Sequence, residues 1–163
     1  MTLQVIPVKF QKEVESNDDL IDLILESFEI NDDDILVFSQ KIISKNEDRI
    51  LNLSSVSPSL LADGIASSYG KDPRLVELIL SESKRIVRME NGVIIVETKH
   101  GFVCANAGID ESNVEDGYAT LLPNDPDRSA NLLKEKIKQK TGKNVAVIIS
   151  DTFGRPFRLG QTD

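Results

Sequence analysis

An acidic stretch with small residues, in the second half of the chain, carries side chains suited to a ligand site. Residues 105–110 read Ala-Asn-Ala-Gly-Ile-Asp, and Asn113 follows three positions after Asp110. Small residues let a backbone approach a ligand closely, and Asp110 and Asn113 could share one side of a turn. The same pattern is typical of an ordinary loop with an Asx turn and a helix cap. The residues alone leave both interpretations open.

A second acidic position follows the apolar run Val145–Ile149, where the sequence continues Ser150-Asp151-Thr152. In open α/β sheets, ligands bind at the carboxyl ends of the strands, which is where Asp151 is expected to lie. A carboxylate beside a hydroxyl offers the hard oxygen ligands that Mg²⁺ prefers. A cap for the following turn explains the same pair, and both interpretations stay open.

Arg155 lies between Gly154 and Pro156, a few residues further on. A guanidinium group makes paired hydrogen bonds to phosphate or carboxylate groups, so this arginine is a candidate anion contact. The alternative is a solvated turn.

A basic pair follows the apolar run 35–38, in the sequence Ser39-Gln40-Lys41 with Lys45 four positions later. The two lysines could contact phosphates. They could equally form an exposed helical face, because residues four apart lie on the same side of a helix.

The counts of histidine and cysteine restrict the metal chemistry. His100 and Cys104 are single residues of their types, so one chain cannot build a Cys/His zinc site or a two-histidine iron site. Any metal must be held by oxygen ligands, which favours Mg²⁺ or Mn²⁺. Cys104 is interpreted as a small buried residue. Lys99-His100-Gly101 is predicted to form a turn, which leaves a substrate contact open.

Composition and charge exclude other classes. The 163 residues suffice for one domain, and the net charge of −8 argues against a nucleic-acid-binding surface. No apolar run approaches the roughly 18 residues of a membrane span. The N-terminus lacks the pattern of a signal peptide. We therefore expect a cytoplasmic protein without membrane or nucleic-acid partners.

The elements that must position these residues are both helices and strands. A helix is expected from about residue 20, capped by Ser16 or Asn17, and Asn91-Gly92 is a hairpin signal. Another helix is expected from Pro126 to about Lys140, closed by Gly142. Residues 3–8 are a possible strand, and 35–38 and 145–149 are expected to be buried strands, the latter on both faces. We predict a mixed α/β (α+β) fold, with a mixed sheet, flanking helices and no regular βαβ repeat.

Taken together, the motifs closely resemble those of one family, the coenzyme F420:L-glutamate ligases, also called F420-0:γ-glutamyl ligases. The blocks 100–108 and 150–156 are the most specific, and the resemblance covers nearly the whole chain. The matching blocks are Ser39-Gln40-Lys41 with Ser44-Lys45, Lys71-Asp72-Pro73-Arg74-Leu75-Val76-Glu77, Glu97-Thr98 with His100-Gly101-Phe102-Val103-Cys104-Ala105-Asn106-Ala107-Gly108, Leu122-Pro123 with Asp125-Pro126-Asp127, and Ser150-Asp151-Thr152-Phe153-Gly154-Arg155-Pro156.

The resemblance implies an activity and its cofactors. Family members use GTP to join L-glutamate to the deazaflavin coenzyme F420 precursor through a γ-linked amide, and we expect the reaction to pass through an acyl phosphate. They need Mg²⁺ or Mn²⁺ at two sites and are helped by K⁺. They form intertwined homodimers with a mixed α/β fold.

The resemblance also implies roles for individual residues. Asp110 and Asp151 would bind one metal ion and Thr152 a second, while Arg155 is a catalytic candidate from its position alone. The GTP contacts carried over by motif are Gln40, Lys41, Lys45 and Asn113. Where family members have a GTP-binding segment near the N-terminus, this chain reads Phe10-Gln11-Lys12-Glu13.

The extent of the chain bears on the expected activity. We interpret residues 1–163 as one γ-glutamyl ligase domain that is truncated at its C-terminus, because family chains continue with a further metal ligand and a phosphate-contacting segment. The alternative function is a catalytically impaired or non-catalytic nucleotide- and metal-binding fragment of the family.

Overall fold

A computed structural model describes residues 3–151, and within them helices and strands follow each other irregularly. Two short 3₁₀ turns, Leu53–Ser55 and Asn106–Gly108, connect some of the elements. The main elements, in chain order, are α1 (Leu20–Leu25), β1 (Ile35–Ser39), α2 (Gln40–Asn46), β2 (Ile50–Asn52), α3 (Leu60–Tyr69), α4 (Pro73–Ser81), β3 (Ser83–Glu90), β4 (Val93–Thr98), β5 (Val103–Ala105), β6 (Tyr118–Thr120), α5 (Pro126–Thr141) and β7 (Ala146–Ser150).

The described strands form three small sheets. β1 pairs in parallel with β7, β2 pairs antiparallel with β6, and β3, β4 and β5 form an antiparallel sheet in that order. The predicted fold class, mixed α+β without a regular βαβ repeat, is confirmed. Parallel and antiparallel pairs both occur, distributed over separate sheets. None of the described helices is long and apolar enough to cross a membrane.

The chain divides into two compact units. Of the described residues, unit 1 consists of 3–48 and 125–150, and unit 2 consists of 49–124 and Asp151. Each unit has its own apolar core, built mainly from isoleucine, leucine and valine side chains. The assignment of residues 1–163 to a single domain stays a prediction.

Unit 1 packs α1, α2 and α5 with the β1–β7 pair. The cap of α1 is Asp19, whose carboxylate accepts hydrogen bonds from the backbone N–H groups of Ile21 and Asp22. The predicted caps were wrong by two to three positions, and Asn17 instead lies in a left-handed turn with φ of 65°. α5 begins at Pro126 and ends before the left-handed Gly142, as predicted.

The β1–β7 sheet has one apolar face that is exposed. Ile35, Val37 and Ile148 are 62%, 63% and 47% exposed, whereas Phe38 on the other face is 5% exposed. The prediction that 145–149 is buried on both faces is therefore wrong for the described chain. The predicted strand over 3–8 is also wrong, since these residues are exposed and in no described strand.

Unit 2 packs α3 and α4 against the β3–β4–β5 sheet. Asn91 and Gly92 connect β3 and β4 with φ values of 50° and 76°, which confirms the predicted hairpin. Ile94, Val96 and Thr98 alternate along β4 on its buried face. Ile94 and Val96 belong to the same apolar core as Ala107 and Ile109.

Candidate functional site

Asp110 is anchored by its backbone and oriented by a neighbouring serine. Its N–H donates to the carbonyl oxygen of Thr120 at 3.1 Å, and the Thr120 N–H donates back to Asp110 at 2.8 Å. The carboxylate accepts hydrogen bonds from the backbone N–H and the hydroxyl group of Ser112, at 2.8 and 2.7 Å. An Asx-type turn therefore exists, and it holds a half-buried carboxylate in a fixed orientation.

The segment before Asp110 has an unusual backbone. Asn106, Ala107 and Gly108 have φ values of 52°, 56° and 71°, so three consecutive residues are left-handed. L-residues pay a steric cost in this region, and such conformations cluster at functional sites. A Cβ atom on Gly108 would lie 2.8 Å from Cγ of Leu122. The close approach that this glycine permits is thus to Leu122, inside the protein.

Asp151 follows β7 directly, and its negative charge affects the pKa of Cys104 in β5. β1 and β7 end in register, at Ser39 and Ser150, so the prediction that Asp151 follows a strand end is confirmed. Burial, and then the negative charge of Asp151, raise the pKa of the Cys104 thiol. Cys104 is 5% exposed, which confirms its interpretation as a small buried residue.

The predicted metal ligands are partly described. Asp110 and Asp151 both belong to unit 2, and Thr152 and Arg155 lie outside the described residues. Within residues 3–151, no group of three or more His, Cys, Asp or Glu side chains is placed to hold a metal ion. The candidate ligands Asp110 and Asp151 offer carboxylate oxygens. This donor chemistry fits a hard divalent cation.

The predicted nucleotide residues of unit 1 share the helix α2. Gln40 is its first residue and is 6% exposed, and its Nε2 donates to the Ser44 hydroxyl at 2.6 Å. Lys41 is half-buried on the first turn of the same helix.

Lys45 connects α2 to the N-terminal segment that was predicted to contact GTP. Its ammonium group forms an ion pair with the carboxylate of Glu13, 32 positions earlier in the sequence. Phe10 packs against the core of unit 1, while Gln11 and Lys12 are exposed. The structure therefore brings the two predicted nucleotide groups of unit 1 into contact.

Asn113 lies in an exposed turn after Asp110. Its φ is 57°, a left-handed conformation that asparagine adopts more readily than most residues. Its predicted contact with GTP stays a prediction.

Three buried polar side-chain atoms of unit 2 have no hydrogen-bond partner. Nδ1 of His100, Oδ1 of Asn106 and Oγ1 of Thr120 are enclosed and have no hydrogen-bond partner. Thr120 carried no signal in the sequence, since a hydroxyl in a short apolar segment is not distinctive. Asn106 stood out only as part of the 105–110 segment, and His100 as the single histidine and as part of a predicted turn.

Comparison with known proteins decides the family. The family model for F420-0:Gamma-glutamyl ligase matches residues 10–163, which includes every predicted site residue. The chain belongs to this family.

Individual ligases support the assignment. The chain is 46% identical over 159 residues to the coenzyme F420:L-glutamate ligase of Methanopyrus kandleri and 48% identical over 165 residues to that of Methanothermobacter thermautotrophicus. A third, from Archaeoglobus fulgidus, is 43% identical over 160 residues. Each match covers 98% of this chain but only 63%, 66% and 64% of the respective relative. The chain thus spans a little under two thirds of these F420-0:Gamma-glutamyl ligase relatives.

Proposed function

We propose that this protein joins L-glutamate to a deazaflavin coenzyme F420 precursor through a γ-linked amide, at the expense of GTP. The observation that carries the proposal is the family match over residues 10–163, together with relatives named coenzyme F420:L-glutamate ligase. The match includes both acidic positions, Asp110 and Asp151. Membership of the family supports an amide-forming reaction, and the use of GTP is our extension of it.

The chemistry requires activation of a carboxylate, because hydroxide is a poor leaving group. In the proposed reaction a carboxylate oxygen attacks the γ-phosphorus of GTP, and GDP leaves. The amine of L-glutamate then attacks the carbonyl carbon of the acyl phosphate, a C–N bond forms, and inorganic phosphate leaves. The work of the protein in such transfers is mainly positioning and charge neutralisation.

The residues of α2 are proposed to hold the nucleotide. Lys41 and Lys45 supply positive charge for the phosphates, and Gln40 supplies an amide that Ser44 fixes in place. The segment 10–13 is proposed to contribute through its ion pair with Lys45. Asn113 is proposed as a further contact to GTP, from a turn that exposes its side chain.

The acidic residues are proposed to hold cations. Asp110 and Asp151 would bind Mg²⁺ or Mn²⁺, and Thr152 would bind a second ion. When bound, these ions would neutralise phosphate charge and help phosphoryl transfer, with K⁺ as an accessory ion. Arg155 is proposed to contact the transferred group through its guanidinium donors. We further propose that the protein works in the cytoplasm and that it is a homodimer. Light scattering of the purified chain can check the homodimer.

The test is product formation by the full chain with GTP, L-glutamate, the deazaflavin precursor and Mg²⁺ or Mn²⁺, followed by mass spectrometry. We expect a product heavier by one glutamyl residue that disappears when any component is omitted. Asp110→Asn should lower the rate by at least about 100-fold, because a bound metal contributes several kcal/mol of charge stabilisation.

The matched control is Glu111→Gln, which removes an exposed negative charge at the adjacent position. It should keep nearly full activity. Full activity of Asp110→Asn would overturn its assignment as a metal ligand. Binding of Mn²⁺ and GDP in calorimetry without any product would overturn the ligase proposal and support the non-catalytic alternative.

A further inference from the structure

A largely buried lysine and an exposed glutamate form the ion pair that joins α2 to the N-terminal segment of unit 1. The side chain of Lys45 is 11% exposed, whereas that of Glu13 is 75% exposed. The Lys45 ammonium group donates a hydrogen bond to Oε1 of Glu13. Protein therefore surrounds most of the lysine, and its counter-ion comes from a side chain that extends into water.

The backbone beside Glu13 is anchored in the core of unit 1. Val14, the next residue, is 7% exposed and belongs to that core, and Phe10 packs against it three positions earlier. The glutamate side chain is thus mobile relative to a backbone that is held in place. Rotation about its side-chain bonds, which have several staggered minima, is enough to move the carboxylate away from Lys45 without displacing the chain.

The carboxylate of Glu13 offers Lys45 the same chemistry as a phosphate group. An ammonium group has three N–H donors and no acceptor, and carboxylate and phosphate oxygens are both anionic acceptors. A largely buried ammonium group without a counter-ion is unfavourable. Glu13 supplies this counter-ion in the structure, at an atom to which a phosphate oxygen can bind instead.

Removing Glu13 from the pair costs little. Ion pairs with an exposed partner contribute little to stability, because the exposed group regains its hydration when it leaves. Two anions beside one ammonium group also repel each other. A phosphate group that binds Lys45 therefore favours departure of the carboxylate.

We propose that Glu13 is an exchangeable counter-ion of Lys45, and that a phosphate group of the nucleotide displaces it on binding. This inference rests on the proposed function, in which Lys45 contacts the phosphates. Before a nucleotide binds, Glu13 neutralises the ammonium group and keeps it in place. The carboxylate returns to Lys45 when GDP leaves, so the pair lowers the affinity for GDP and favours its release after the reaction.

Calorimetric titration of the full chain with GDP and Mn²⁺, at low ionic strength, tests this competition. Glu13→Gln removes the charge of the competing group and keeps nearly the same side-chain size. We expect GDP to bind about two- to fivefold more tightly, the range that corresponds to an ion pair with an exposed partner. An unchanged or weaker affinity for GDP would overturn the proposal.

The matched control is Glu15→Gln, two positions further along the chain. Glu15 is also exposed, and the described ion pair of Lys45 is with Glu13 rather than with Glu15. Both substitutions change the net charge by the same amount. An equal gain in affinity for the two variants would show that only the overall charge matters, which would overturn the exchange at Lys45.

Nuclear magnetic resonance follows the displacement without turnover. The hydrogen bond from Lys45 lowers the pKa of the Glu13 carboxyl group below its usual range. Displacement by a phosphate removes this hydrogen bond and brings a negative charge close, and both changes raise the pKa of Glu13. Its carboxyl carbon, identified as the resonance missing from Glu13→Gln, should titrate at a higher pH in the GDP complex than in the free protein. An equally low pKa in both would contradict displacement.

The outcomes separate the two proposals. Absence of GDP binding in both the wild type and Glu13→Gln would overturn the use of a guanine nucleotide, and with it the exchange at Lys45. Wild-type binding of GDP that Glu13→Gln leaves unchanged would overturn the exchange alone, and the proposed function would stand.

Discussion

In unit 1, side chains that were predicted to bind a nucleotide form hydrogen bonds or ion pairs with other residues of that unit. Unit 2, by contrast, encloses three polar side-chain atoms without hydrogen-bond partners. Gln40 bonds to Ser44 and Lys45 pairs with Glu13 in unit 1. The unpaired atoms of His100, Asn106 and Thr120 all lie between positions 100 and 120. Among the described residues, the buried polar side-chain atoms without a hydrogen-bond partner therefore lie in unit 2 and none lies in unit 1.

The two units also differ in how their left-handed residues are arranged. The left-handed residues of unit 1 outside glycine, such as Asn17 and Asp33, occur singly in turns, whereas Asn106, Ala107 and Gly108 are consecutive. A consecutive run stores more strain, and packing must hold it. Four kinds of substitution, ordered from the largest expected effect, test whether unit 2 depends on tight backbone packing and unit 1 on polar pairing.

The largest effect is expected for Gly108→Ala in unit 2. The new Cβ would lie 2.8 Å from Leu122 carbons, and φ is 71°, so steric overlap adds to backbone strain. We expect the free energy of unfolding to fall by about 2–5 kcal/mol, measured by urea denaturation. Gly117→Ala is the matched control, because φ is 83° and no atom lies within 4 Å of the new Cβ. Equal losses for the two variants would disprove the packing explanation.

The next effect is expected for Asp19→Ala in unit 1. This carboxylate caps α1 and pairs with Lys136 and Lys140. Loss of the cap should cost about 1–2 kcal/mol. Asp19→Asn should cost less, since asparagine also caps helices, and the exposed Glu29→Gln should have little effect. A loss in Asp19→Asn as large as that in Asp19→Ala would contradict the capping explanation.

The same residue predicts a pH dependence. Burial opposes ionisation of Asp19, but hydrogen bonds from Lys136 and Lys140 outweigh it and lower its pKa below the ordinary range. A depressed pKa in the folded state means that the stabilisation is present above about pH 4 and is lost as the pH falls further. Unfolding free energy measured from pH 6 downwards should therefore decline less steeply in Asp19→Asn. An unchanged slope would contradict this.

The smallest effects compare a buried and an exposed pair within unit 1. Ser44→Ala removes the hydroxyl that accepts from buried Gln40 and should cost about 1 kcal/mol. Glu13→Gln breaks an ion pair whose carboxylate side chain is 75% exposed, so stability should stay unchanged within error. A larger loss in Glu13→Gln than in Ser44→Ala, in parallel denaturation curves, would reverse this ranking.

Local features of the fold could be predicted from the sequence, and features that depend on distant partners could not. The Asn91-Gly92 hairpin and the ends of α5 follow from the conformational preferences of a few adjacent residues. Exposure of Ile35 and Val37 could not be predicted, because burial of a strand face depends on which element covers it. The cap of α1 was misplaced because Ser16, Asn17 and Asp19 all have suitable side chains, and packing selected the last.

The candidate site divides in the same way. The sequence by itself determined its chemical inventory: a single histidine and cysteine exclude a Cys/His zinc site, and Asp110, Asp151 and Asn113 leave an oxygen-donor site. Only the tertiary structure decided how that inventory is used. His100 contacts a backbone carbonyl oxygen 24 positions away, and the partner of Lys45 lies 32 positions away. Such contacts are set by the packing of whole elements, for which no short stretch of sequence carries a signal.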